Sequence, residues 1–145
     1  MDEQIDKLVK NALDSSVSSY YRKDAVRQLA RLNKTAKLSN AVVQLLKDID
    51  DPSLQREVMD IAANMAISEC VNLLMPISLG KGRNARYAIN VLAKIGGKAA
   101  YDSLREISKT PGFDLSKTAA SRAMEEMRRR HPGIEKKKKR KLLMY

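Results

Sequence analysis

Cysteine and histidine occur once each in this chain of 145 residues, as Cys70 and His131. One thiol cannot close a disulfide within the chain, and one thiol with one imidazole falls short of the usual tetrahedral zinc set. Tryptophan is absent and phenylalanine occurs once beside five tyrosines, so the sequence shows no evident aromatic platform on which unpaired bases would stack. No apolar run approaches the roughly 20 residues that cross a bilayer. The first ten residues are charged rather than signal-like, and a cytoplasmic protein is expected, or a nuclear one if the source is eukaryotic. What remains is 43% apolar, enough in a chain of this length to bury a core without staples.

Lysine and arginine number 28 against 17 acids, a net charge of +11. From Arg128 to the end there are nine bases and one acid, or +8, whereas the preceding 127 residues hold 19 bases and 16 acids, or +3. The body is nearly balanced, and the excess sits in a tail.

Ile5, Leu8, Val9, Ala12 and Leu13 fall on one face of a helix, with Asp2, Glu3 and Asp6 in its first turns, where the helix dipole favours negative charge. The serines of residues 15–19 break it, because their side chains compete for backbone hydrogen bonds. From Tyr20 to Arg130 an apolar triplet at offsets 0, 4 and 7 recurs as Ala25, Leu29, Leu32; Val58, Ala62, Met65; Ala88, Leu92, Ile95; and Ala120, Met124, Met127, at steps of 33, 30 and 32 residues. A second triplet lies between these: Val42, Leu46, Ile49; Cys70, Leu74, Ile77; Ala100, Leu104, Ile107. Each unit is an inner and an outer helix that buries its stripe only against neighbours. Asp51-Pro52-Ser53 caps a helix, and Gly80-Lys81-Gly82, Gly96-Gly97 and Pro111-Gly112 mark turns at the junctions. Pro76 conflicts with this division and predicts a bend or an end near Met75.

The stretch Arg86-Tyr87-Ala88-Ile89-Asn90-Val91-Leu92-Ala93-Lys94-Ile95-Gly96 resembles the first helix of a HEAT-like repeat, with its arginine, small apolar residues, then Leu, Ile and Gly. Lys23 to Leu32 and Arg56 to Ala66 follow the pattern more loosely. The resemblance implies an all-α fold: a short right-handed α-solenoid of three to four HEAT-like helix pairs with a basic C-terminal extension. Its parts are a capping helix over residues 1–14, helical repeats over 20–130 and a basic tail over 131–145. Such solenoids serve many functions, so the fold alone assigns none.

Catalytic chemistry finds no footing. His131, pinned before Pro132, lacks an orienting partner and reads as a solvated or capping residue. Cys70 occupies a core position. The Asp48, Asp50, Asp51 group lacks the spacing of a calcium loop, and Glu125 and Glu126 point about 100° apart on a helix. Neither Gly80-Lys81 nor Gly97-Lys98 is a phosphate loop: the expected leading glycine is Met75 in one and Leu92 in the other, and no Ser or Thr follows. No enzyme activity, cofactor, metal or small-molecule substrate is expected.

The basic residues carry the functional expectation. Arg128, Arg129 and Arg130, then Lys136, Lys137, Lys138, Lys139, Arg140 and Lys141, form two clusters too dense to be explained by folding. Lys23, Arg27, Arg31 and Lys34 line one side of the first repeat's leading helix. In-register stacking makes Lys23, Arg56 and Arg86 equivalent, with Asn90 and Lys94 extending the third unit. A non-catalytic binding module is expected, contacting the phosphate backbone of nucleic acid or of a nucleic-acid-containing assembly. The alternative is a protein-protein scaffold whose tail docks on an acidic partner. Two further readings are a HEAT-like lesion-binding enzyme and an anionic-membrane binder using Leu142 to Tyr145.

Overall fold

The computed structural model describes residues 2–110 and 114–135, with side chains at 114 and 115 excepted. The Pro111-Gly112 turn signal, the Lys136–Lys141 cluster and the closing Leu142 to Tyr145 lie outside the described residues. Among those residues every regular element is helical: α1 (Asp2–Leu13), α2 (Ser19–Ala30), α3 (Ala36–Asp48), α4 (Pro52–Asn64), a short 3-10 turn (Ser68–Cys70), α5 (Val71–Leu79), α6 (Ala85–Ile95), α7 (Gly97–Lys109) and α8 (Asp114–Arg130). No helix among them is long and apolar enough to cross a membrane.

The helices form two rows. Each even helix packs on the next even one, α2 on α4, α4 on α6 and α6 on α8, and α1, α3, α5 and α7 follow one another in the second row. The rows meet through α1 and α2, α3 and α4, α5 and α6, and α7 and α8, with α6 also resting on α7. The apolar triplets explain this arrangement. Ala25, Leu29, Val58, Ala62, Ala88, Leu92 and Ala120 of the even row are sealed from water, as are Val42, Leu46, Leu74, Ala100, Leu104 and Ile107 of the odd row. All belong to one continuous core, and each large aliphatic side chain in it contributes about 2 kcal/mol through burial.

Local chemistry sets the ends. Asp51 accepts from the amides of Ser53 (2.8 Å) and Leu54 (3.3 Å) while Pro52 opens α4. Thr35 accepts from the amide of Leu38 at 3.1 Å and caps α3. In the serine-rich break, the Asp14 carboxylate accepts from both the amide and the hydroxyl of Ser16 (3.0 and 2.6 Å), bonds that hold its carboxyl below the ordinary value. Gly96 and Gly97 both take positive φ, +75° and +83°, which lets α6 pass into α7 with almost no connecting chain. At the end of α4, Ala66 takes φ +51°, with its amide on the Ala63 carbonyl (3.2 Å) and the Ile67 amide on the Ala62 carbonyl (2.9 Å). That is the helix-ending motif usually built on glycine.

Pro76 does not end its helix. α5 runs through it to Leu79. The carbonyl left without a helical donor belongs to Asn72, which is exposed together with Pro76, a position where the lost hydrogen bond costs less than it would in the core.

Candidate nucleic-acid interface

The outward side of the even row begins at α2. Positions 20, 23, 27 and 31 fall on the side of α2 opposite Ala25, Val26 and Leu29, because 3.6 residues make one turn. Arg27 reaches across to Glu57 of α4 at 3.1 Å. On α4, the Arg56 Nε donates to the Asn84 side-chain Oδ1 at 2.8 Å, and its guanidinium lies 4.7 Å above the Tyr87 ring of α6. Buried Asn84 in turn donates to the Pro52 carbonyl and to Gln55 Oε1, both at 2.8 Å, and so fastens the α5–α6 turn to the start of α4. The Tyr87 hydroxyl donates to Asp60. That bond, and then burial, push the phenol up to about 12.

The ladder expected from Lys23, Arg56 and Arg86 therefore divides by task. Arg56 braces α4 against α6, as Arg27 braces α2 against α4. Lys23 is half-buried on α2, and Arg31 is exposed just past the end of that helix. Lys34 donates to the Ala66 carbonyl at 3.4 Å and ties the α2–α3 connection to the end of α4.

Arg86 leads instead into a groove of about 470 Å³ between α6 and α8. Arg86, Asn90 and Lys94 of α6 line one wall, and Arg122, Glu126 and Arg130 of α8 line the other, with Asp60 and Tyr87 at the α4 side. Glu126 is paired with Arg130 at 2.6 Å, whereas Asp60 accepts from the neutral Tyr87 phenol and keeps its charge at the α4 side of the groove. Arg86, Lys94 and Arg122 have no ion-pair partner among the described residues. Three unpaired cations facing one groove repel one another and favour an anion between them.

The three consecutive arginines at the end of α8 go to three places. Arg128 is half-buried and donates to the Tyr101 hydroxyl of α7 at 2.8 Å; that bond holds its guanidinium protonated beyond the ordinary arginine range. Arg129 pairs with Glu125 at 3.4 Å on the open surface, and Arg130 borders the groove. Beyond them the chain turns back over α7: Ile134 is buried and Glu135 lies 3.9 Å from Arg105. His131 is exposed, its amide on the Met127 carbonyl at 2.8 Å. Burial pushes the Cys70 thiol up to about 12, which keeps it out of the reactive thiolate form.

Arg122 and the groove were not singled out from the sequence. The signal was present: Arg122 stands two residues after Ala120, as Arg27 stands two after Ala25, so comparing that offset in every unit finds it. Comparison of the chain with protein-family models, with curated proteins and with solved structures found no match in any of the three.

Proposed function

We propose that the two rows are a short right-handed HEAT-like solenoid of four helix pairs, α1–α2, α3–α4, α5–α6 and α7–α8, and that it is a non-catalytic binding module for the phosphate backbone of nucleic acid. The observation that carries the function is the α6–α8 groove, where Arg86, Lys94 and Arg122, none of them ion-paired, outnumber the one carboxylate, Asp60, that Arg130 does not answer. A folded chain gains nothing from holding three like charges together, whereas each phosphate neutralised there releases counterions. The repeat geometry continues that surface along the even row through Arg27, Lys23 and Arg31. Lys136 to Lys141 follow closely on Glu135 in sequence and supply a second cationic element. A cytoplasmic or nuclear site of action goes with this reading.

The test is titration of the full chain against labelled DNA and RNA at low and physiological salt, beside a chain in which Lys136, Lys137, Lys138, Lys139, Arg140 and Lys141 are replaced by glutamine. Steeply salt-dependent binding that the tail variant weakens without abolishing is the expected result. Absence of binding by the full chain above that of an unrelated basic protein would overturn the reading.

A further inference from the structure

We propose that Tyr20 and Tyr21 form a base-stacking platform at the start of the even-row face, so that the nucleic acid taken by this face is single-stranded. The inference rests on the reading above and narrows its partner. The other tyrosines of the described residues have fixed duties: Tyr87 donates to Asp60 beneath Arg56, and buried Tyr101 accepts from Arg128. Tyr20 and Tyr21 are the large hydrophobic side chains left exposed, at 75% and 64%. No core contact requires aromatic rings at these positions. Their ring centroids lie 5.5 Å apart at 83°, edge to face, an arrangement that leaves a ring face open to a flat partner.

Their surroundings choose that partner. Tyr20 shares the outward side of α2 with Lys23, Arg27 and Arg31, at positions three, seven and eleven residues further along, and with Asp24, which accepts from Gln28 at 2.7 Å; Arg27 is paired with Glu57, which leaves Lys23 and Arg31 as the cations without an ion pair on that side. Stacking surface beside a line of cations is the pairing that single strands use: the bases lie on the rings and the phosphates follow the cations. A duplex hides its base faces and gives up a base only at the cost of unstacking it. Tyrosine flanked by cations thus discriminates by strandedness, whereas the α6–α8 groove, which holds phosphate alone, does not. On this proposal the two exposed rings supply the stacking surface that composition alone does not suggest. Serine-rich residues 15–19 bring α1 to a stop just before the pair, and the first turn of α2 carries both rings above the surface.

The experiment compares the full chain with Tyr20→Ala/Tyr21→Ala, Tyr20→Phe/Tyr21→Phe and Arg86→Ala/Arg122→Ala double variants. Fluorescence anisotropy follows each on a single-stranded oligonucleotide and on a duplex of equal length, at one salt concentration, with circular dichroism as the check on folding. The alanine pair is expected to weaken single-strand binding by about tenfold or more, given the usual worth of one stacked base, and to leave duplex binding unchanged. The phenylalanine pair keeps single-strand affinity, and the Arg86/Arg122 pair weakens both forms. Equal losses on both forms, or none on either, overturn the proposal and leave phosphate binding standing; the second result gives the rings to a protein contact. A full chain that binds neither form overturns this inference together with the reading on which it rests.

Discussion

The two rows of helices bury the same kinds of side chain and present different charge to water. α2, α4, α6 and α8 together carry eleven bases and six acids, whereas α1, α3, α5 and α7 carry seven and six. In the odd row Lys37 is answered by Asp6 at 2.9 Å, Lys98 by Asp102 at 3.2 Å and Arg105 by Glu135 at 3.9 Å, while Lys7, Lys10, Lys47 and Lys109 have no ion-pair partner among the described residues. In the even row Arg27 and Arg56 brace neighbouring helices, and Lys23, Arg86, Lys94, Lys117 and Arg122 have no ion-pair partner among the described residues, three of them, Arg86, Lys94 and Arg122, on one groove. Burial explains both inner faces. It does not account for the even row's greater excess of base over acid, the feature on which the proposed phosphate-binding reading rests.

If the rows are equal as core, they must fail equally when their cores are cut. Leu92→Ala in α6 and Leu104→Ala in α7 remove side chains that are both fully buried, and each is expected to cost about 3 kcal/mol in urea unfolding. A large difference between them would break the symmetry of the two cores. The next effect separates bracing arginines from free ones. Arg128→Ala leaves the Tyr101 hydroxyl buried without its donor and is expected to cost about 1–2 kcal/mol. Arg129→Ala, which loses only an exposed ion pair, changes stability by less than about 0.5 kcal/mol. An effect of opposite sign lies where the even row hands over to the odd one. Ala66→Gly relieves a left-handed residue at the end of α4 and is expected to raise stability by up to about 1 kcal/mol, read as a higher urea midpoint.

The helices were legible because burial leaves a periodic trace. Every triplet from Ala25 to Met127 lies in or at the end of a helix, Asp51 caps α4 as expected, and glycines stand at the α5–α6 and α6–α7 junctions. Pro76 misled because a proline's cost depends on which carbonyl it strands, and here that residue, Asn72, is exposed. The site was less legible, since linear charge density is blind to direction. Arg128, Arg129 and Arg130 read as one cluster, but successive helical residues turn by about 100° and send them to a tyrosine, to solvent and to a groove. Arg22 offered no signal of its own. It is buried, its Nε donating to the Ala12 carbonyl at 2.9 Å, because the α1–α2 turn folds that carbonyl back onto α2. Tyr20 and Tyr21 were likewise read by composition, which counts rings and cannot see which are left uncovered.

The most direct test of the one-sided surface is the salt dependence of nucleic-acid affinity in two matched double variants, Arg86→Ala/Arg122→Ala on the even row and Lys47→Ala/Lys109→Ala on the odd row. All four side chains are exposed and each variant removes the same charge. If the even row holds the phosphates, the first variant flattens the slope of log affinity against log salt by about 1.4 on a single strand, two contacts' worth, while the second leaves it unchanged. Equal flattening in both, or flattening in the odd-row variant alone, would contradict the assignment of binding to the even row.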